Sequence, residues 1–282
     1  MGNFLRELGI SKNQNIIVHS SFKKIKSAFP KVTPGDVINT IQVLIGQEGS
    51  LIMPSFTYCF KSSIGSYEIF DRLNTPSKVG ALSEVFRKSK NSIRTSSPTH
   101  SFSIWGKITS QINYNNSPQS PLGEGSVLDW LANENNSYVL MLGTHFDSLS
   151  FCHYLEIKAK VPWYDCFPWE YLGKEKIGVS VSGEQYFKEV PGCSKSFVNF
   201  ESFLLDNKII SAINKNELTC YFIPIDILIE HGLPFFRHNP EKLLCAGGTC
   251  KACDFRRNKF LTDVTQNVKH PRFQRIFFGE YF

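Results

Sequence analysis

An α/β fold, with a layered sheet flanked by helices, is what the order of apolar patterns predicts. Three observations carry it. Asn15-Ile-Ile-Val-His19 and Gly49-Ser-Leu-Ile-Met-Pro54 read as strands, and a helical pattern lies between them. A third apolar run, Tyr138-Val-Leu-Met-Leu142, stops at Gly143 and opens into ionisable residues. The chain has 282 residues, 41% hydrophobic and 20% charged, which is ample for a buried core.

Each element has its own local reason. The first strand ends at His19-Ser20-Ser21. Thr33-Pro34-Gly-Asp36 opens a helix, with Thr33 as N-cap and Pro34 at the first helical position. Its apolar residues run from Val37 to Ile45, and Gly46 stops it. Ser55 to Ser77 shows few helix signals, and long ordered loops often carry function. A second helix is expected over 80–87. The alternation of Phe102, Ile104 and Trp105 then reads as a strand leaving the polar loop Ser96-Ser97-Pro-Thr-His100. Ser126 caps a helix reaching Ala132. Lys176 to Glu189 alternates about Ser182-Gly183 like an antiparallel hairpin. Phe197–Leu205 and Pro224–His231 read as helices, and the tail from Leu243 is rich in Cys, Arg and aromatics. With no repeat and no convincing linker, a single domain over 1–282 is expected, its core at about 1–240 and an irregular, Cys-containing extension at about 241–282.

The formal net charge of +6 suits an anionic ligand but is modest. Lys23-Lys24-x-Lys26 and Arg256-Arg257-x-Lys259 are too short for a nucleic-acid arm, so no nucleic-acid partner is expected. No apolar run approaches the roughly 18 residues of a membrane span. The first residues lack the basic start and apolar centre of a signal peptide. Together with eight mostly scattered cysteines, this predicts reduced thiols in the cytoplasm.

The segment after Leu142 gathers His145, Asp147, His153 and Glu156. If Ser148 or Ser150 caps a helix, His153 and Glu156 share one face. An imidazole beside a carboxylate is a good general base near neutral pH, although the same spacing also describes an ordinary satisfied polar pair. Cys152 adjoins His153, but neighbours on a helix diverge, so it reads as a small core residue. His145-x-Asp147 with His153-x-x-Glu156 offers a lower alternative, a metal-dependent hydrolase. In the tail, Cys245, Cys250 and Cys253 have zinc-ligand character, with a fourth ligand to come from Cys193, Cys220 or His238. The plain alternative is a reduced cysteine cluster in a Gly-rich turn.

Six motifs recur in order over about residues 15–160: Val18-His-Ser-Ser21; Gly46-Gln-Glu-Gly49 before Leu51-Ile-Met-Pro54; Thr75-Pro76-Ser77-Lys-Val-Gly80-Ala-Leu; Arg94-Thr-Ser-Ser-Pro-Thr-His100-Ser101; Pro121-Leu-Gly-Glu-Gly-Ser126; and Leu142-Gly-x-x-x-Asp147-Ser-x-Ser-x-x-His153-x-x-Glu156. Together they resemble the aminoglycoside 3-N-acetyltransferase family. The resemblance implies a layered mixed sheet and acyl transfer from acetyl-CoA or another acyl-CoA to an amino sugar. It implies that His153 is the catalytic histidine, Glu156 its partner and His100 a residue of the site edge. His19, Ser20, Ser21, the loop Thr75, Pro76, Ser77 to Gly80, and Arg94 fall on the coenzyme A side, Arg94 near a phosphate. Asp147, Ser101 and Phe56 fall on the acceptor side. Ser97 stands where the family usually has His, and Leu149-Ser150 where it usually has Asn-Thr. These departures and the basic charge favour a nucleotide-linked amino sugar for surface polysaccharide biosynthesis over an aminoglycoside antibiotic. The expected partners are therefore acyl-CoA and a small amino-sugar acceptor, with a homo-oligomer left open. A catalytically silent binding protein is disfavoured, because His153 and Glu156 are both retained.

Overall fold

The computed structural model describes residues 1–266, with side chains to residue 258. Helix α1 (Gly2–Glu7) precedes strand β1 (Asn15–Ser20); α2 (Phe22–Ala28) and α3 (Pro34–Ile45) lead to β2 (Ser50–Pro54). A short β3 (Phe60–Ser62) interrupts the long irregular segment. Next come α4 (Ala81–Arg87), β4 (Ile93–Arg94), β5 (Phe102–Gly106), α5 (Ile108–Gln111), α6 (Val127–Asn133) and β6 (Ser137–Leu142). Helix α7 (Phe151–Ala159), the hairpin β7 (Lys174–Ser180) and β8 (Gly183–Tyr186), α8 (Val198–Asp206), β9 (Ile213–Lys215), β10 (Leu218–Pro224), α9 (Ile225–His238) and α10 (Lys251–Gln266) follow.

Seven strands form one mixed sheet in the order β4-β5-β2-β1-β6-β10-β9. The central β1 runs parallel to β2 and β6, while β5 and β10 pair antiparallel on either side. The two-residue period of a strand divides the core between two faces. Ile17, Ile52 and Val139 meet α6, α7 and α9 on one side. Ile16, Val18, Leu51 and Leu140 meet α1, α3 and α4 on the other. A second sheet, β3-β7-β8, has its own small core of Phe60, Phe167, Phe187 and Val190.

The helix starts follow their capping chemistry. Thr33 and Asp36 form a reciprocal capping box at α3, and Ser126 accepts the Asp129 N–H at 3.2 Å at α6. Ser150 occupies the cap position of α7 without a capping bond; its hydroxyl lies 3.4 Å from His19 Nε2. Two expectations are corrected. Helix α9 does not end at His231 but continues through Pro234 to His238. Phe235 and Phe236 carry it onward, with ring centroids 5.2 and 5.3 Å from Phe200, so aromatic packing outweighs the missing proline donor. The extension, expected to be irregular, forms α10, which buries Ala252, Cys253 and Arg256 at helical spacing. The tail residues 267–282 lie outside the described residues. Among the described residues, no helix is long and apolar enough to cross a membrane.

Candidate active site

The parallel strands β1 and β6 end side by side, with Ser20 in register with Leu142. Strand ends at such a junction are where open α/β sheets leave a crevice. Gly143 makes the turn out of β6 at φ +75°, and a Cβ there would lie 2.9 Å from both Leu218 and Lys24. A cavity of about 660 Å³ opens at this end. His19 and Ser20 from β1, Phe56 and His100 from the loops, and His153 from α7 reach its wall.

His153 is buried, and its Nδ1 stands 2.6 Å from Glu156 Oε2. Their three-residue spacing on α7 brings them together, as expected from the helix period. With Nδ1 so engaged, Nε2 is the ring nitrogen left for the cavity. The other Glu156 oxygen accepts from Arg256 Nη1 at 3.3 Å, across 100 residues of chain. Burial alone would push the Glu156 carboxyl up; the Arg256 charge, then the hydrogen bond from His153, outweigh it and hold the carboxyl below its usual range. Trp163 adds to the same effect. Arg256 itself is 1% exposed and lies flat against Gly192, where a Cβ would stand 2.6 Å from its Nε. A buried cation and a buried carboxylate thus neutralise each other behind the histidine.

His100 sits across the wall against Phe56 and Tyr58, with centroids at 4.8 and 5.4 Å. Burial, with a smaller contribution from His153, lowers it to about 3, so it is neutral at physiological pH. His19 is lowered to about 3 by burial alone. The Asp147 carboxylate is exposed at the cavity lip, and Leu149 lines the cavity beside it.

Several predicted ligand contacts turn inward instead. Arg94 was expected near a phosphate, but its guanidinium is spent on protein: Nε on Ser101 Oγ (2.9 Å), Nη1 on Thr75 O (2.5 Å) and Nη2 on Ser55 O (2.6 Å). It braces the loop from behind. Ser101 is fully buried between Arg94 and the Ser55 carbonyl and does not reach the cavity. Ser21 occupies the cap position of α2. Within the loop, Thr75 Oγ1 accepts from the Asp71 N–H and the Ser77 N–H donates to Glu84, while Pro76 and Gly80 stay exposed. Val79 is the loop residue that lines the cavity.

Sequence reasoning missed a second network. Glu201 accepts from Tyr221 OH (2.6 Å) and the Phe146 N–H (2.8 Å), and its Oε1 is 2.7 Å from His145 Nδ1. It pins the turn between β6 and α7. His145 therefore points to Glu201, which removes it from the hydrolytic metal set. Among the described residues, the one close grouping of metal-ligating side chains is Cys193, Cys245, Cys250 and Cys253, with all four sulfurs within 4.8 Å of one another. Cys220 is buried on β10 in the core and takes no part. Cys152 is likewise buried in the core, as expected, and burial raises its thiol well above the usual range.

The net charge of the chain does not concentrate in the cavity. Its ionised lining is Asp147, Lys174 and Lys195; Arg94 and Arg256 are consumed internally, and Arg257 pairs with Asp254 at 2.7 Å. The +6 of the whole chain is therefore no argument for a pyrophosphate-bearing acceptor, because a global charge says nothing of where the charge sits.

A family model described as aminoglycoside 3-N-acetyltransferase matches residues 17–236. The SPbeta prophage-derived aminoglycoside N(3')-acetyltransferase-like protein YokD of Bacillus subtilis (strain 168) is 27% identical over 207 residues, 66% of this chain and 71% of that one. Aminoglycoside N(3)-acetyltransferase IV of Salmonella sp is 29% identical over 161 residues, 56% of this chain and 58% of that one. The crystal structure of the aminoglycoside acetyltransferase AAC(3)-IVa apoenzyme shares the fold, with a TM-score of 0.74 at 23% identity, covering 91% of this chain and 95% of that one. AAC-IIIb, solved as a binary complex with CoASH, aligns with a TM-score of 0.67 at 18% identity, covering 83% of this chain and 94% of that one.

Proposed function

We infer that this chain, which belongs to the aminoglycoside 3-N-acetyltransferase family, transfers the acetyl group of acetyl-CoA to an amine of an aminoglycoside. Family membership makes it a CoA-dependent N-acyltransferase. The observation that carries the mechanism is the buried His153–Glu156 pair, 2.6 Å apart, on the wall of a cavity of about 660 Å³.

An ammonium group cannot attack a thioester until it loses a proton. His153 Nε2 takes that proton, and Glu156 accepts from Nδ1–H, fixing the tautomer and stabilising the imidazolium. The freed amine attacks the thioester carbon. The C–N bond forms, the C–S bond breaks, and the electron pair leaves on the CoA sulfur. Forming the amide releases a second proton from the nitrogen; of the two protons the nitrogen has lost, one ends on the CoA sulfur and the other leaves through His153 to solvent. Proton transfer of this kind contributes roughly 10²–10⁴-fold. In this reading His19, Ser20 and Val79 border the CoA arm. Neutral His100 and Phe56 shape the acceptor wall, and Asp147 at the lip meets a cationic amino sugar. The related proteins are aminoglycoside acetyltransferases, which supports this acceptor over a nucleotide-linked one.

The test pairs acetyl-CoA with a panel of aminoglycosides and with nucleotide-linked amino sugars, following CoA release chromatographically. Acetylation of an aminoglycoside is expected, with His153→Ala lowering kcat by about 10²-fold or more while CoA still binds. Turnover of nucleotide sugars alone would reverse the acceptor assignment. Near-normal turnover by His153→Ala would remove the base assignment.

A further inference from the structure

Cys193 lies on the cavity wall, in the segment between β8 and α8. Cys245 and Cys250 come from the Gly-rich loop before α10, and Cys253 from the first turn of that helix. Chain segments more than 50 residues apart in sequence deliver four thiols to one point: Cys193 and Cys245 are 52 positions apart, and their sulfurs stand 3.8 Å from each other. Four thiolates at about 2.3 Å from a central zinc define a tetrahedron whose edges are about 3.8 Å. The maximum spacing of 4.8 Å needs only rotamer-scale adjustment to reach it. The sulfurs also have outer partners. Ser196 Oγ donates to Cys245 Sγ at 3.4 Å, and the Lys195 backbone N–H donates to Cys193. Four soft ligands without an open position are the donor set of a structural zinc site.

We propose that Cys193, Cys245, Cys250 and Cys253 bind one Zn²⁺ as a closed tetrathiolate site, and that the site holds Arg256 against Glu156. Cys253 and Arg256 are three residues apart on α10, and Cys193 directly follows Gly192, on which the guanidinium lies. Clamping Cys193 to Cys253 therefore clamps both sides of the Arg256 seat. Arg256 is a positioning residue here, because it touches Glu156 and not the reacting atoms. The metal assignment stands apart from the acetyltransfer reading; only the effect on turnover rests on it.

The experiment uses the full chain, without a polyhistidine tag, purified with reductant. Zinc is counted by inductively coupled plasma mass spectrometry, and apo protein is refilled with Co²⁺ to read the visible bands of tetrahedral thiolate coordination. The expected result is about one zinc per chain, a thiolate cobalt spectrum, and loss of both in Cys250→Ser. Losing a ligand should weaken zinc binding by at least the ~10–100-fold that a second-shell change costs. Cys59→Ser, at a buried cysteine outside the group, should retain the metal. Should Cys250→Ser fail to fold, the cobalt spectrum of the unsubstituted protein decides. A reduced protein that takes up neither ion, a Cys250→Ser protein that keeps full zinc, or a disulfide among these four cysteines in place of metal would each overturn the site. Zinc removal that leaves the pH–rate profile unmoved would overturn the link to Arg256, whatever the acceptor proves to be.

Discussion

Replacing Arg256 with Met should unbalance the charge behind His153. Both groups are nearly inaccessible, Arg256 at 1% and Glu156 at 2% exposure, and their closest atoms are 3.3 Å apart. At an effective dielectric near 20, that separation corresponds to about 5 kcal/mol of attraction. Removing one member of a buried pair typically costs about 3–5 kcal/mol, because the other charge stays behind unpaired. Met keeps much of the volume, so the loss should be chiefly electrostatic. The sign is fixed by Glu156, whose carboxyl Arg256 holds low. Without that cation the His153–Glu156 pair keeps a proton to higher pH than it otherwise would. The stability loss should be largest in alkaline solution and shrink as pH falls and the pair takes up its proton. The base should be blocked over the same range, so the rising limb of the kcat/KM profile should move alkaline by one pH unit or more. Urea denaturation and chromatographic CoA-release assays, both run across pH, measure the two effects. Adding Glu156→Gln to Arg256→Met should recover much of the stability but not the activity. A variant within about 1 kcal/mol of the parent protein and with an unmoved pH profile would refute the electrostatic role.

Acid should weaken the fold through His19 and His100. Both are lowered to about 3 by burial, so their contribution is complete above about pH 6.5 and is lost as pH falls from there toward 3. Near pH 5.5 each should cost about 1.4 kcal/mol, and a urea midpoint that is flat between neutral pH and 5.5 would contradict this. Gly192→Ala should push the Arg256 guanidinium off its seat and give a smaller alkaline shift of the same profile as Arg256→Met. A profile identical to that of the parent would mean that the guanidinium relaxes freely.

Parts of this arrangement are legible in the sequence because they are local. Strands β1, β2 and β6 are apolar runs with clear stops, and His153 and Glu156 need only the helix period to meet. Strand β10 was missed, although Leu218, Cys220 and Ile223 are buried along it, because its polar Thr219 and terminal Pro224 blur the run. Helix α10 was hidden by the Gly-rich cysteine turn before it. The assignments that failed depend on partners elsewhere in the fold. Arg94 has the right chemistry for a phosphate, but the carbonyls of Ser55 and Thr75 claim its donors once the loop folds. A faint signal for the missed groups was present. Glu201 interrupts the buried stripe of Phe197, Phe200 and Leu204, and Arg256 follows buried Ala252 and Cys253 at helical spacing. A charge placed in an apolar stripe implies a counter-charge, without saying where in the chain it lies.

The 100 residues between Glu156 and Arg256 also set a clock for the nascent chain. At about 5–20 residues per second, a ribosome makes the arginine roughly 5–20 s after the glutamate. During that interval α7 exists with a carboxylate on its inward face and no guanidinium to receive it. Until then the carboxylate has His153 on its own helix but not its buried cation, and β6 lacks its neighbour β10 until Leu218–Pro224 has been made. The growing polypeptide therefore presents an unfinished apolar layer for seconds.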